Sequence, residues 1–461
     1  MNCYYPRLIL LFLCASYMPG LFAQPLTNYT PYTNDSLQLV SIKNDIRKNY
    51  LEDSASISGE NKKQLIGIYR DRYQNLADMF KEKEFMNNPE ADGYLQNLVA
   101  QIINSNPQLK KLGTRFLFSR VFWPNAFSSG EGTIVFNIGL FAKLNTESEV
   151  VFTLCHELAH LYLDHSTRGI LQYVNTVNSK DFQEQLKEIK KSKYEVNKQL
   201  EKLEKGLVFK SRRHGREHED EADSVGLSFM QNTGYNIKGS LTCLAMLDVI
   251  DKDSYAADSG LQRNFNFTVY PFNKKWLKKE EGFFGGVPDK AISTKEKDSL
   301  KTHPDCKARI AKLTPAVEKV VNDGRKDFLV SETQFNALKS SFKFEVVEFC
   351  FVSKRISRCL YYALEQLETN PNNAYLVTMI GKCFNEMYSN QKAHTLNRVV
   401  DLPSPYADKN YDVLTQFIQN ISLGDMAAIG YYFLNNYKTV MAGDAGFEKA
   451  LATSTKNFNN N

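Results

Sequence analysis

Beyond its first two dozen residues the chain has no apolar run approaching the roughly 20 residues a membrane-spanning helix needs, so no spanning helix is expected there. None of its 8 cysteines forms a CxxC pair, which excludes a cysteine-based zinc ribbon. It also has little excess of one charge, with 57 Lys and Arg against 52 Asp and Glu and a net charge of +5. The two signs are interleaved, so the charged positions read as solvated faces, and no nucleic-acid partner is expected. What is present is a folding composition, 43% hydrophobic and 24% charged. At 461 residues the chain is too long for one ordinary core and predicts two or three domains.

Residues 1–23 read as an export signal. Arg7 precedes the apolar run from Leu8 to Ala15, Pro19 and Gly20 end it, and Leu21-Phe22-Ala23 follows. Cleavage after Ala23 would leave Gln24 first. Leu21 is large for a position that prefers a small residue, so cleavage after Ser16 is the alternative. The run is too short to span a bilayer, and Leu13 before Cys14 argues against lipid attachment. Export places the protein in a periplasm or cell envelope, or outside the cell. An oxidising compartment would permit a bridge among Cys350, Cys359 and Cys383, with the connectivity open.

The strongest local pattern is His156-Glu157-Leu158-Ala159-His160, inside an apolar stretch from Val150 to Leu163. Histidines four apart on a helix share a face, so His156 and His160 can hold one metal ion with Glu157 beside them. Their neighbours Val151, Phe152, Leu154, Leu158 and Leu161 make the helix a buried one, where polar groups need partners. A five-residue pattern also arises by chance, so its weight depends on the rest of the chain.

In chain order, 24–36 reads as a polar linker, and helical spacing then runs to about Lys111. Leu65, Tyr69, Tyr73, Leu76 and Phe80 share one face, and Leu95, Leu98 and Ile102 another, as helices covering a core. Phe116 to Trp123 and Thr133 to Ile138 read as two strands joined in a β-hairpin, with Pro124, Ser128, Ser129, Gly130 and Gly132 as turn residues. Asn145 and Thr146, followed by Glu147 and Glu149, supply a capped, acidic helix start before the histidine motif, and that helix is expected to continue to about His165. His165 lies about 140° around such a helix from His160 and reads as structural. Residues 181–205 carry Phe182, Leu186, Ile189, Val196, Leu200 and Leu203 in a charged background. That predicts a helical insertion with one narrow apolar seam, interrupted near Lys193: a solvated amphipathic helix, or an arm, lid or dimer contact.

Glu219-Asp220-Glu221-Ala222-Asp223 presents two carboxylates, Glu219 and Asp223, on one helical turn. His, His and Glu is a standard ligand set for a catalytic metal, so Glu219 completes the first two ligands. Asp223 can accept the remaining ring N–H of a ligand histidine. Residues 252–301 lose periodicity around Gly282-Phe283-Phe284-Gly285-Gly286, which suggests a loop able to act as a lid. Residues 332–456 are helical, and 374–404 weakly match a tetratricopeptide unit, with a plain helical bundle as the alternative. Residues 457–461 read as a frayed tail.

From about Phe118 to Leu313 the chain resembles the HtpX-like zinc metallopeptidases, gluzincins that include the CAAX prenyl proteases and the mitochondrial Oma-type proteases. The resemblance rests on Asn125-Ala126-Phe127, the segment through Gly139-Leu140, His156 to His160, Glu219 to Asp223, Gly234-Tyr235, and Thr302-His303-Pro304 with Arg309-Ile310. Integral members of the group carry transmembrane helices; this chain looks like a soluble, exported branch. Together with the elements read above, the resemblance gives the expectation of a mainly α fold with a small β-hairpin or sheet: a zincin-like metallopeptidase domain over 37–331, and after it the helical, tetratricopeptide-like or bundled C-terminal domain that the residues themselves indicate. It implies one zinc ion per chain on His156, His160 and Glu219, Glu157 as catalytic base, and Asp223 as partner of a ligand histidine. His303 and Arg309 are expected either to steady the developing oxyanion or to shape a loop. The implied activity is endopeptidase cleavage of protein or peptide substrates in envelope quality control, with a sheet edge accepting extended peptides. A chaperone-like or assembly factor binding protein partners through its C-terminal helices, with latent or no proteolysis, is the alternative.

Overall fold

The structure is a computed structural model that describes residues 29–32, 37–192, 195–250, 252, 255–278, 306–404 and 408–461. Helices α1 (Leu37–Ser56), α2 (Lys62–Lys81) and α3 (Pro89–Ser105) lead to strands β1 (Arg115–Ser119), β2 (Ala126–Ser128) and β3 (Thr133–Asn137). Then come α4 (Ile138–Phe141), α5 (Glu147–Tyr162), α6 (His165–Val177), α7 (Lys180–Lys191), α8 (Val196–Gln231), α9 (Gly239–Leu247), α10 (Ala257–Phe265) and α11 (Cys306–Glu318). The chain closes with α12 (Glu332–Val352), α13 (Ile356–Thr369), α14 (Ala374–Lys392), α15 (Lys409–Asn420), α16 (Leu423–Tyr437) and α17 (Ala445–Asn459). No helix among the described residues is long and apolar enough to cross a membrane.

The fold is mainly helical around one small sheet, as expected, but the two strand-like runs do not pair as a hairpin. The sheet order is β1-β3-β2, with β1 parallel to β3 and β2 antiparallel to it. The reason lies at Gly139, whose N–H donates to the Val121 carbonyl at 3.2 Å. A Cβ there would stand 1.9 Å from the Phe122 carbonyl oxygen, so only glycine lets residues 121–122 cross the end of β3. Having crossed, the chain returns along the far side of β3 as β2. Gly130 (φ 80°) and Gly132 (φ 100°) then make the turn back into β3. Leu117 and Val135 meet Ile46 and Leu76 of α1 and α2 on one face of the sheet, while Phe118, Ile134 and Phe136 enter the main core.

The helix bearing the histidine pair begins where the sequence indicates, with the Thr146 hydroxyl accepting from the Glu149 N–H at 3.2 Å. It ends earlier, at Tyr162, because Asp164 takes a left-handed conformation (φ 52°, ψ 41°) and α6 starts anew at His165. The 181–205 region falls into two helices, α7 ending at Lys191 and α8 starting at Val196. Its second half, however, is the beginning of α8, a helix of 36 residues and about 54 Å that runs on to the Glu219 carboxylate.

Residue 332 starts a helix, capped by Ser331, without starting a separate core. Phe141 packs on Phe335 at 5.0 Å and Phe118 on Phe342 at 5.1 Å, and one apolar cluster extends from α3 to α17. The junction is fastened by Glu147, which is fully buried at the start of α5. Its carboxylate accepts from Tyr94 (2.7 Å), Tyr235 (3.1 Å) and the backbone N–H groups of Leu329, Val330 and Ser331 (2.7, 2.9 and 2.7 Å).

Four peripheral expectations are corrected. The 24–36 linker includes Tyr29 and Tyr32, whose hydroxyl and backbone N–H respectively donate to Oε2 of the buried Glu345, while Arg120 pairs with Oε1; the acceptor capacity that Arg120 leaves open accounts for their docking. Within 252–301, α10 and Trp276 join the helical bundle, Trp276 meeting Phe417 at 6.1 Å and its carbonyl accepting from Asn420. The Gly282–Gly286 segment lies outside the described residues. Residues 374–404 hold one helix followed by a short 3-10 turn (Leu396–Arg398), since His394 (φ 56°) breaks the helical path. The 457–461 stretch is not a frayed tail: it starts inside α17, where Asn457 donates to Asn385 at 3.0 Å and Phe458 stacks on Tyr431. All six cysteines of the described residues are buried free thiols; Cys359 and Cys383 touch, sulfur to sulfur, at 3.4 Å.

Replacing Glu147 by Gln turns an acceptor into a donor among five donors. Unsatisfied buried groups of this kind cost about 2–4 kcal/mol, so the urea midpoint of Glu147→Gln should fall accordingly. An unchanged midpoint would show that the carboxylate does not fasten the junction.

Candidate metal centre

The centre lies where α5 crosses α8. A Cβ on Gly226 would stand 3.0 Å from the backbone of His156, tighter than side-chain packing normally allows, so glycine sets how closely the helices approach. One turn before it Asp223 faces α5, and one turn before that Glu219 does. The structure thereby brings together His156 and His160 from α5 with Glu219 from α8, side chains that sequence spacing alone leaves far apart.

The two Nε2 atoms are 3.0 Å apart. His156 Nε2 is 3.5 Å from Glu219 Oε2 and His160 Nε2 is 3.4 Å from Glu219 Oε1. All three ligand atoms lie within 4.8 Å of one another, the spacing of groups that could hold one metal ion. Each ring offers its second nitrogen to the protein. His156 Nδ1 is buried 2.9 Å from Asp223 Oδ1, bent from a straight N–H···O line, and His160 Nδ1 lies 2.9 Å from His165 Nδ1. Both Nε2 lone pairs are thus left to face a shared centre with a carboxylate, a donor set that fits a divalent, nitrogen- and oxygen-preferring metal.

Electrostatics fit the same picture. Burial alone would lower the His156 pKa, but Asp223 and Glu219 outweigh it and push it up to about 10 in the protein without metal. Burial would raise the Glu219 carboxyl, and the two histidines instead hold it well below the usual carboxylate range. This cluster of acids and imidazoles gathers positive charge, by protonation or by a cation. Glu157 is buried on the same helix. Desolvation raises its pKa against the opposing pull of His156, His160 and a hydrogen bond from the Ser128 backbone. Ser128 belongs to β2, so the carboxyl sits between the metal triangle and the edge of the sheet.

Arg309 is not where an oxyanion-stabilising group would stand. It lies buried on α11, with Nε and Nη2 donating to the two oxygens of Asp223 at 2.6 and 2.7 Å and Nη1 3.1 Å from Glu219 Oε2. Its planar fork matches the carboxylate and leaves it clamping the back of the cluster. His303 falls outside the described residues. His165, read from the sequence as structural, touches a histidine of the triangle. Its Nε2 lies 3.0 Å from Glu221, which also accepts from Arg168. The cue available in the sequence was Asp164, one of the residue types that tolerate the left-handed conformation.

A half-buried His-His-Glu triangle on two crossed helices, with a further carboxyl against a sheet edge, is the arrangement of a zincin-like metallopeptidase. Residues 89–317 match the family model of Peptidase family M48, so the chain carries an M48 peptidase domain of the HtpX- and Oma-like kind. A Vibrio cholerae serotype O1 protein described as a beta-barrel assembly-enhancing protease is 29% identical over 103 residues. The match covers 22% of this chain, and the chain spans about a fifth (21%) of that relative's length.

Gly226→Val touches no ligand yet must move α8 away from His156. Overpacking of this kind costs about 1–3 kcal/mol, which corresponds to ~5- to 150-fold weaker metal binding if it is taken from the site. Chelator competition measures it, and wild-type affinity would show that the crossing distance does not set the site.

Proposed function

We propose that the chain is a zinc-dependent endopeptidase of an exported compartment. The observation that carries this reading is the placement of Glu157, buried between the His156-His160-Glu219 triangle and the backbone of β2. His156, His160 and Glu219 would hold the ion. Bound there, zinc supplies a Lewis acid that acidifies water and polarises the scissile carbonyl. Glu157 takes the proton from the attacking water and returns it to the leaving amine. Asp223, clamped by Arg309, orients the His156 ring through Nδ1.

β2 ends the sheet order and has β3 on one side only, so its other edge can pair with an extended peptide as an added strand. Backbone pairing accepts many sequences and needs no free terminus, which favours internal cleavage of unfolded segments. The description of the Vibrio cholerae relative points the search for substrates toward envelope proteins, in a quality-control role, with the C-terminal helices as a surface for protein partners. Glu157 favours catalysis over binding alone, since a holdase has no use for a buried proton acceptor at a metal triangle.

Glu157→Gln should lower hydrolysis of casein or an unfolded peptide by about 10²–10⁴-fold while one zinc per chain remains bound. Chelation should abolish wild-type cleavage and zinc should restore it. Undiminished cleavage by the variant would remove Glu157 from the chemistry.

A further inference from the structure

We propose that His160 is oriented by a relay, His165-Glu221-Arg168, and that the left-handed break at Asp164 is what brings the relay within reach. The inference rests on the metal reading above. His160 can offer Nε2 to a metal only as a neutral ring whose proton sits on Nδ1. That Nδ1 lies 2.9 Å from His165 Nδ1, and two ring nitrogens at this distance bond only when one carries the proton. His160 is therefore the donor and His165 Nδ1 the acceptor. The remaining proton of His165 then sits on Nε2 and is donated to Glu221 Oε2 at 3.0 Å. Glu221 in turn accepts from Arg168 Nη1 at 3.0 Å. The His218 ring stacks on His165 at 4.3 Å with an interplanar angle of 8°, which fixes the plane in which His165 presents both nitrogens. With a metal on His160 Nε2, these contacts assign the tautomers of His160 and His165.

In an unbroken helix His160 and His165 would diverge by about 140°. Asp164, at φ 52°, turns the chain so that the first residue of α6 faces back along α5. One consequence concerns α8, which supplies a ligand, Glu219, and orients both ligand rings: His156 directly through Asp223, and His160 through Glu221 and His165. The two histidines differ in their support, a clamped carboxylate for one and a neutral imidazole for the other.

The test uses the full chain, with zinc affinity from chelator competition and the visible spectrum of the cobalt(II)-substituted protein. His165→Leu should weaken zinc binding by about 10–100-fold and alter the cobalt bands. In His165→Asn, Oδ1 stands near the place of Nδ1, and much of the loss should be recovered although the variant is no better packed. Asp164→Gly, at home at positive φ, should bind more tightly than Asp164→Val, which should resemble His165→Leu. Wild-type affinity and cobalt spectrum in His165→Leu, or an Asn variant no better than Leu, would overturn the relay while leaving the metal site standing. A wild-type protein that binds no zinc would overturn both.

Discussion

The close crossing of α5 and α8 at Gly226 is the constraint on which the site depends. Neither helix holds a complete set of donors. α5 supplies two imidazoles and the Glu157 carboxyl, while α8 supplies Glu219 and Asp223, and the set exists only where the two backbones nearly touch. Around this crossing the structure adds fasteners. Arg309 clamps Asp223 and Glu219 from α11. Glu147, at the other end of α5, gathers α3, Tyr235 and the 329–331 backbone onto one carboxylate. The helical C-terminal region is thereby tied to the helix that carries the site, so metal binding and folding of the whole chain should be coupled.

The same geometry explains how a small sheet serves the centre. By crossing the end of β3 at Gly139, the chain delivers β2 to the sheet edge beside α5, where the Ser128 backbone meets Glu157. A simple hairpin of the two longer runs would have left no such edge next to the carboxyl. The arrangement puts the strand that could receive a peptide and the group that could move its proton in direct contact.

What the sequence made legible followed from local physics. The histidine pair, the Thr146 cap, the carboxylates four apart on α8 and the helical character of most of the chain each depend on periodicity or capping within a few residues, and each was readable. Strand pairing was not, because the parallel match of β1 with β3 depends on a crossing enabled by one glycine. The contact of His165 with His160 was hidden for a related reason: the angle between them assumed an unbroken helix, and a single backbone reversal at Asp164 changed it. Arg309 could be picked out by its pattern, but only the packing of α11 shows that it faces the carboxylates. The shared core was hidden too, since Phe335 and Phe342 read as any amphipathic helix until Phe118 and Phe141 are placed against them.

The central claim is that one metal is held by His156, His160 and Glu219 across two helices. Zinc K-edge X-ray absorption on the purified chain tests it most directly. The expected result is one zinc per chain, bound by nitrogen and oxygen at about 2.0–2.2 Å with an imidazole signature. Thiolate sulfur at about 2.3 Å, or no stoichiometric zinc, would contradict it.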